Sequence, residues 1–295
     1  MIPMRVLLAA PSSTARLHTL VPLAWALRTA GHDVKIAGRP AFVEDILRTG
    51  CVAAELEDGD AELTESAALA EFARLWRPAV VVSNAPAGIA AAREVGAKAV
   101  RVLGPQDELD AAADHTFDLV PPSLRDNGPS GDPLRHVPYF GPVEIPNWLR
   151  RKARRARILL SLDDPSWYES VFSVLSDVDA ELVCAAELPA GLALPQKVKL
   201  VDSAPPAAVL PTCAAVVHDG NETLALAAVA YGLPQLSLAE SAFGTRVTAA
   251  GAGISGAAEG ISRLTDETLR AGADALRAEV AALPAPRAVA AALAS

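Results

Sequence analysis

The chain has 295 residues, 51% of them hydrophobic and 21% charged, with a formal net charge of −9. That length exceeds one typical domain and favours two, each able to bury a core. The acidic balance argues against nucleic acid or an anionic membrane surface as the main partner. The three cysteines, Cys51, Cys184 and Cys213, lack any metal or redox spacing and read as small buried residues in a reducing compartment.

The opening MIPMRVLLAAPSS reads as a buried first strand rather than a signal peptide, because its short apolar run gives way at once to a polar loop. No uninterrupted apolar stretch is long enough to span a bilayer, so a cytoplasmic location with no membrane partner is expected. Strands are expected at Arg5 to Ala10, Asp33 to Ala37, Val52 to Leu56, Ala79 to Val82 and Ala99 to Leu103. Helices are expected between them, at Leu20 to Thr29, Pro40 to Thr49, Ala67 to Trp76 and Ala87 to Val95, with Ser12 to His18 as a loop. Such alternation implies a parallel sheet covered on both faces. Ligands of such sheets sit beyond the strand C-terminal ends, which makes Pro11–Arg16 and Ser83–Gly88 the expected edges of a cleft.

Between Gly104 and Trp148 the alternation stops, and repeated Pro, Gly and Asp read as loop and interdomain linker. The run Arg150 to Arg157, RRKARRAR, has no interleaved aromatics and reads as a solvated lead-in to the strand at Ile158 to Ser161. A helix at Trp167 to Ser176 and strands at Ala180 to Ala185 and Val198 to Val201 follow. Then comes LPTCAAVVHDGNETLALAAVAYGLPQLSLAE, Leu210 to Glu240. It reads as a strand to Val217, a polar turn, a helix from Thr223 to Tyr231 ended by Gly232, and a strand at Leu236 to Leu238. Unpaired N–H groups and the helix dipole make such a turn a place for an anion. Helices at Thr245 to Ala250 and Leu264 to Leu283 close the chain, and the tail Pro284 to Ser295 is expected to pack back across the interface.

The order of strand, His218, Gly220, small-residue helix and Gly232-Leu233-Pro234-Gln235 resembles the donor-binding stretch of GT-B glycosyltransferases. More narrowly, it resembles the actinobacterial enzymes that place deoxysugars on macrolide and other polyketide aglycones. LHTLVPLAWALRTAGHDVKIAGRPAFVEDILRTG resembles the opening of the same enzymes. The resemblance implies an α/β fold of two Rossmann-like parallel-sheet domains facing across a cleft. Residues 1–142 would form the acceptor side and 143–295 the nucleotide-sugar side. It also implies a shortened acceptor wall, since the similar enzymes are longer before Trp148.

The same resemblance carries roles onto particular residues. The family's His base falls on Arg16 and its acidic partner on Asn84, with His18 two residues away as a substitute or as a helix N-terminal residue of no chemical role. Arginine stays protonated, so Arg16 is no base. The family reads His-His-Gly-Gly-Ala-Gly where this chain reads His218-Asp219-Gly220-Asn221-Glu222-Thr223, so glycines that admit a diphosphate are partly replaced. Its phosphate-touching loop corresponds to Ser161-Leu162-Asp163-Asp164, and its sugar-binding acid to Glu240. Adjacent Asp residues are a weak metal signal and read better as a helix cap before Pro165, so no metal is expected.

Arg16, His18, Asn84, His218 and Glu240 are therefore the candidate catalytic set. Ser161, Asp163, Asp219, Gly220, Asn221, Glu222 and Thr223 are the candidate ligand set. Three readings stay open. The favoured one is a glycosyltransferase-like protein of polyketide-type biosynthesis, repurposed as an atypical tailoring enzyme or auxiliary protein that binds a small-molecule intermediate and needs no cofactor. The second is an active transferase that takes a nucleoside-diphosphate sugar as co-substrate. The third is a structural partner of a true transferase. A homodimer or a partner protein is compatible with each.

Overall fold

The computed structural model describes residues 3–10, 12–56, 65–107, 109, 112–125, 131–150, 153–174, 180–184, 198–200 and 206–293. The chain divides into two compact units. The first comprises Met1–Pro122, Asn127–Gly141 and Leu283–Ser295, and the second Ser123–Asp126 and Pro142–Ala282. A linear division after residue 142 differs from this one: Ser123–Asp126 and Pro142 join the second unit, and the C-terminal segment joins the first.

The first unit runs β1 (Arg5–Ala9), α1 (Thr14–Thr29), β2 (Asp33–Gly38), α2 (Pro40–Arg48), β3 (Ala53–Glu55), α3 (Glu65–Trp76), β4 (Val80–Ser83), α4 (Pro86–Val95), β5 (Lys98–Leu103), β6 (His115–Asp118) and β7 (Asp132–Pro133). The second runs β8 (Ala156–Ser161), α5 (Trp167–Val174), β9 (Ala180–Cys184), β10 (Val198–Leu200), α6 (Pro206–Val209), β11 (Ala215–His218), α7 (Glu222–Tyr231), β12 (Gln235–Ser237), α8 (Ala242–Ala249), β13 (Gly253–Ser255) and α9 (Glu267–Ala282). α10 (Pro286–Leu293) then returns to the first unit and packs on α1.

Both sheets are parallel, in the orders β3-β2-β1-β4-β5-β6-β7 and β10-β9-β8-β11-β12-β13. In each, the chain leaves its first strand towards one edge and returns on the other side, so the order reverses between β1 and β4 and again between β8 and β11. Leu7, Ala9, Val81 and Ala99 pack on one face with Ala68, Leu69 and Ile89 of the covering helices. Val6, Leu8, Val80 and Val82 are buried on the other. Burial on both faces is why these strands read as continuous apolar runs rather than alternating ones.

Three sequence expectations are corrected. α1 begins at Thr14, not Leu20, because nothing from Thr14 to Thr19 breaks a helix and Ser13 supplies the extended N-cap. Arg16 and His18 are thus helical. Within α1, Pro22 deprives the His18 carbonyl of its helical donor. The stretch from Gly104 to Trp148 is not loop throughout: β6 and β7 extend the first sheet, and Pro133 is tolerated because β7 is its edge. The basic run is exposed at Arg150, Arg154 and Arg155 but not at its end: Arg157 is buried on β8, pairs with Glu181 at 3.1 Å and lies over the Trp148 ring. The strand ends β1 to β5 and the α7–β12 passage fall close to the expected places. The expected ends at Ser176, Ala185 and Val201 lie outside the described residues, as does Pro11. Cys51 and Cys184 are buried and Cys213 half-buried, all as free thiols. Among the described residues no helix is long and apolar enough to cross a membrane.

Candidate functional site

In the first unit, Ala9 at the end of β1 lies in register with Ser83 at the end of β4. The Ser83 hydroxyl donates to the Ala9 carbonyl at 2.9 Å and accepts from the Ala85 amide at 3.0 Å, tying the two strand ends together. α4 comes so close that a Cβ on Gly88 would stand 2.4 Å from Ser83 Oγ. Glycine is required there by proximity.

Arg16 and Asn84 meet at this junction. Arg16 Nη1 donates to the Asn84 carbonyl and to Asp107 Oδ1, the latter at 2.9 Å, and Asn84 Nδ2 donates back to the Arg16 carbonyl at 2.7 Å. Asn84 is 2% exposed, and its Oδ1 is buried without a hydrogen-bond partner. Asp107 also pairs with Arg101 at 3.3 Å and accepts from the Gly104 amide at 2.8 Å. Asp107 was not among the residues expected from sequence. Its signal is the turn Gly104-Pro105-Gln106-Asp107, whose Pro stands where such turns favour it, and the Asp107 amide closes that turn on the Gly104 carbonyl at 3.3 Å. His18 does not join this group. Its ring stands edge-on to Tyr139, with centroids 4.9 Å apart, and lies against Gly141. Burial lowers its pKa against the pull of Asp45, so the imidazole is neutral at neutral pH.

In the second unit, Ser161 at the end of β8 is in register with His218 at the end of β11. His218 is 1% exposed and both its ring nitrogens are engaged. The Gly220 amide donates to Nδ1 at 3.1 Å, which leaves the proton on Nε2, 2.9 Å from Gln235 Oε1. Gln235 Nε2 then donates to the Ala225 carbonyl at 3.2 Å. Burial lowers the His218 pKa in spite of Gln235 and Asp219. The ring is a neutral brace, and it holds Gly220 at φ +96°, a backbone shape suited to glycine.

The loops that follow are bonded to one another. Asp219 Oδ2 accepts from the Asp164 amide at 2.7 Å, and Asp163 Oδ2 accepts from Asn221 Nδ2 at 3.1 Å. Asn221 Oδ1 caps α7 by accepting from the Leu224 amide at 3.0 Å. Asp164 makes an Asx turn onto the Ser166 amide at 2.9 Å, and bonds from Ser166 hold its carboxyl below the usual range. Glu222 turns away towards α8. Burial raises its pKa, while Arg246, the Phe243 amide and Arg125 act the other way, and its Oε2 is buried without a hydrogen-bond partner. Thr223 is half-buried in the first turn of α7, and Glu240 is exposed. Among the described residues no group of three or more His, Cys, Asp and Glu side chains is placed to hold a metal ion.

Residues 169–295 match the family model of the erythromycin biosynthesis protein CIII-like C-terminal domain. The TDP-daunosamine transferase DnrS of Streptomyces peucetius is 30% identical over an alignment of 345 residues that takes in 80% of this chain and 80% of that protein. The chain belongs to the deoxysugar glycosyltransferases of antibiotic biosynthesis. Another member of this glycosyltransferase family, the aclacinomycin-T 2-deoxy-L-fucose transferase of Streptomyces galilaeus, is 29% identical, with 82% of this chain and 81% of that protein covered. The fold is the family's GT-B architecture. The glycosyltransferase SnogD from Streptomyces nogalater superposes with a TM-score of 0.88 at 28% identity over 99% of both chains. The glycosyltransferase VinC, solved with DTDP, superposes with a TM-score of 0.83 at 26% identity over 99% of this chain and 98% of that one. An alignment of 345 residues is longer than this whole chain of 295, so this family member lacks internal segments that its relative carries.

Proposed function

We propose that this member of the antibiotic glycosyltransferase family has given up the nucleotide sugar and binds a small-molecule, polyketide-type intermediate as an atypical tailoring enzyme or auxiliary protein. One observation supports this above others: several N–H donors of the second unit's turn and the loops beside it are already taken by the chain's own groups. Gly220 donates to His218, Leu224 to Asn221, Asp164 to Asp219 and Gly244 to the Ser241 hydroxyl. One of these acceptors is the Asp219 carboxylate, and the loop adds that of Asp163. At an effective dielectric of about 20, a carboxylate about 4 Å from a phosphate charge opposes it by on the order of 4 kcal/mol before screening. In the first unit, a guanidinium bonded to a carboxylate stands where the family's base is placed by resemblance, and an amide where its acid is placed. Neither moves a proton at neutral pH. Several relatives are named for the sugars they transfer, and VinC was solved with DTDP; for this chain we infer no such donor. Calorimetry with thymidine diphosphate in the presence of a chelator tests the reading. Binding weaker than about 1 mM is expected, and a micromolar Kd would overturn it.

A further inference from the structure

The two units differ in how their helix N-termini are satisfied. In the second, α7 and α8 are capped by the Asn221 and Ser241 side chains, and α7 carries Glu222 in its first turn. In the first, α1 of 16 residues and α4 of 10 residues follow Ser13 and Ala85, neither of which makes a side-chain cap bond, and no acidic residue stands in either first turn. Both helices start from the strands that flank the reversal of strand order, where open sheets of this kind bind ligands. Their positive ends favour negative charge, yet the first turn of α1 carries Arg16, the opposite of the usual preference. A local rule broken in this way, at the place where a ligand belongs, is a functional sign.

The side chains say what kind of anion fits. Arg16 Nη1 is engaged by Asn84 and Asp107, while its Nε and Nη2 make no hydrogen bond among the described residues, and 36% of the side chain is exposed. Beside it lies Asn84, with Nδ2 bonded to the Arg16 carbonyl and Oδ1 buried without a donor. A buried carbonyl oxygen of this kind is costly to leave unpaired. We propose that this end of the first unit binds a small hydroxy acid, its carboxylate on Arg16 between the starts of α1 and α4 and its hydroxyl donating to Asn84 Oδ1. Arg16 and Asn84 are held side by side by their mutual bonds. A single negative charge suits the place better than a phosphate dianion. Asp107, 2.9 Å from Arg16, repels a second charge. The assignment rests on the reading above, in which the ligand is a small molecule in place of a nucleotide sugar.

Calorimetry on the whole chain with 3-hydroxyoctanoate, its methyl ester, octanoate and inorganic phosphate tests the assignment. The hydroxy acid should bind at least about tenfold more tightly than the ester, the octanoate or phosphate. Arg16→Gln should bring hydroxy-acid binding down to the level of the ester. The wild-type comparison of acid with ester stands even if that variant fails to fold. Equal binding of acid and ester, no binding of the acid, phosphate binding as tight as the acid, or a folded Arg16→Gln chain with unchanged acid binding would each overturn the assignment. If both the acid and thymidine diphosphate are silent, this assignment falls and the reading above stands. Micromolar thymidine diphosphate binding overturns that reading whatever the acid does.

Discussion

His136 is 6% exposed, and burial lowers its pKa from 6.5 to about 4. His218 is shifted in the same direction by its own burial. In the unfolded chain these rings take up protons near pH 6.5, while in the folded chain they do so only at lower pH, for His136 near 4. Stability is therefore complete above about pH 6.5 and falls as the pH drops towards 4, where the folded His136 also protonates. His136 alone accounts for about 2 kcal/mol lost by pH 5. Urea unfolding at pH 7.5 and pH 5 reads this directly, and a His136→Gln chain should lose less between the two. Equal midpoints for the wild type at both pH values would contradict the assignment of His136 as a buried neutral ring. Residue chemistry also explains what sequence left hidden at this scale. That Arg16 is no base follows from arginine itself. That His218 is braced on both ring nitrogens needs Gln235, which stands 17 residues away.

At the scale of elements, Asn221 has two jobs. Its Oδ1 caps α7 and its Nδ2 holds Asp163 in the neighbouring loop. Asn221→Ala loses the cap and should cost about 1–2 kcal/mol in urea melts, whereas Asn221→Gly should cost a few tenths, because glycine is itself an acceptable N-cap. An equal loss for both substitutions would show that the bond to Asp163, not the cap, carries the stability. The passage from β11 through α7 to β12 was legible in sequence because apolar runs, Gly232 and Pro234 mark its boundaries within a few residues. The meaning of Asn221 was less so. Against the family's pattern it looks like a lost glycine, and only the structure shows a gained cap. The bond from Asn221 to Asp163 spans 58 residues, and no local pattern announces such a pair. β6 escaped for a related reason. His115 to Asp118 is too short and too polar to read as a strand, and it becomes one by pairing with β5.

At the scale of the whole molecule, the first unit is completed by α10, the last helix described. Val289, Ala290 and Leu293 are buried, α10 packs on α1, and Arg135 is bonded to the Pro284 and Leu283 carbonyls at 2.8 and 3.1 Å. Removing residues 283–295 should destabilise the first unit by on the order of 4 kcal/mol, from the apolar burial lost. Hydrogen exchange read segment by segment checks this. Protection should fall in β1, α1 and β4 and persist in β8, β11 and α7, and a uniform loss would count against it. The same return of the chain has a consequence in time. On a ribosome, residues 1–141 emerge first but lack the helix that closes over α1, while residues 142–282 have all their own elements before that helix exists. The half of the protein that is made first is then the half that finishes last. A nascent chain of residues 1–282, held on the ribosome by a flexible linker long enough to clear the exit tunnel, should resist protease across 206–282 while still being cut within residues 1–141.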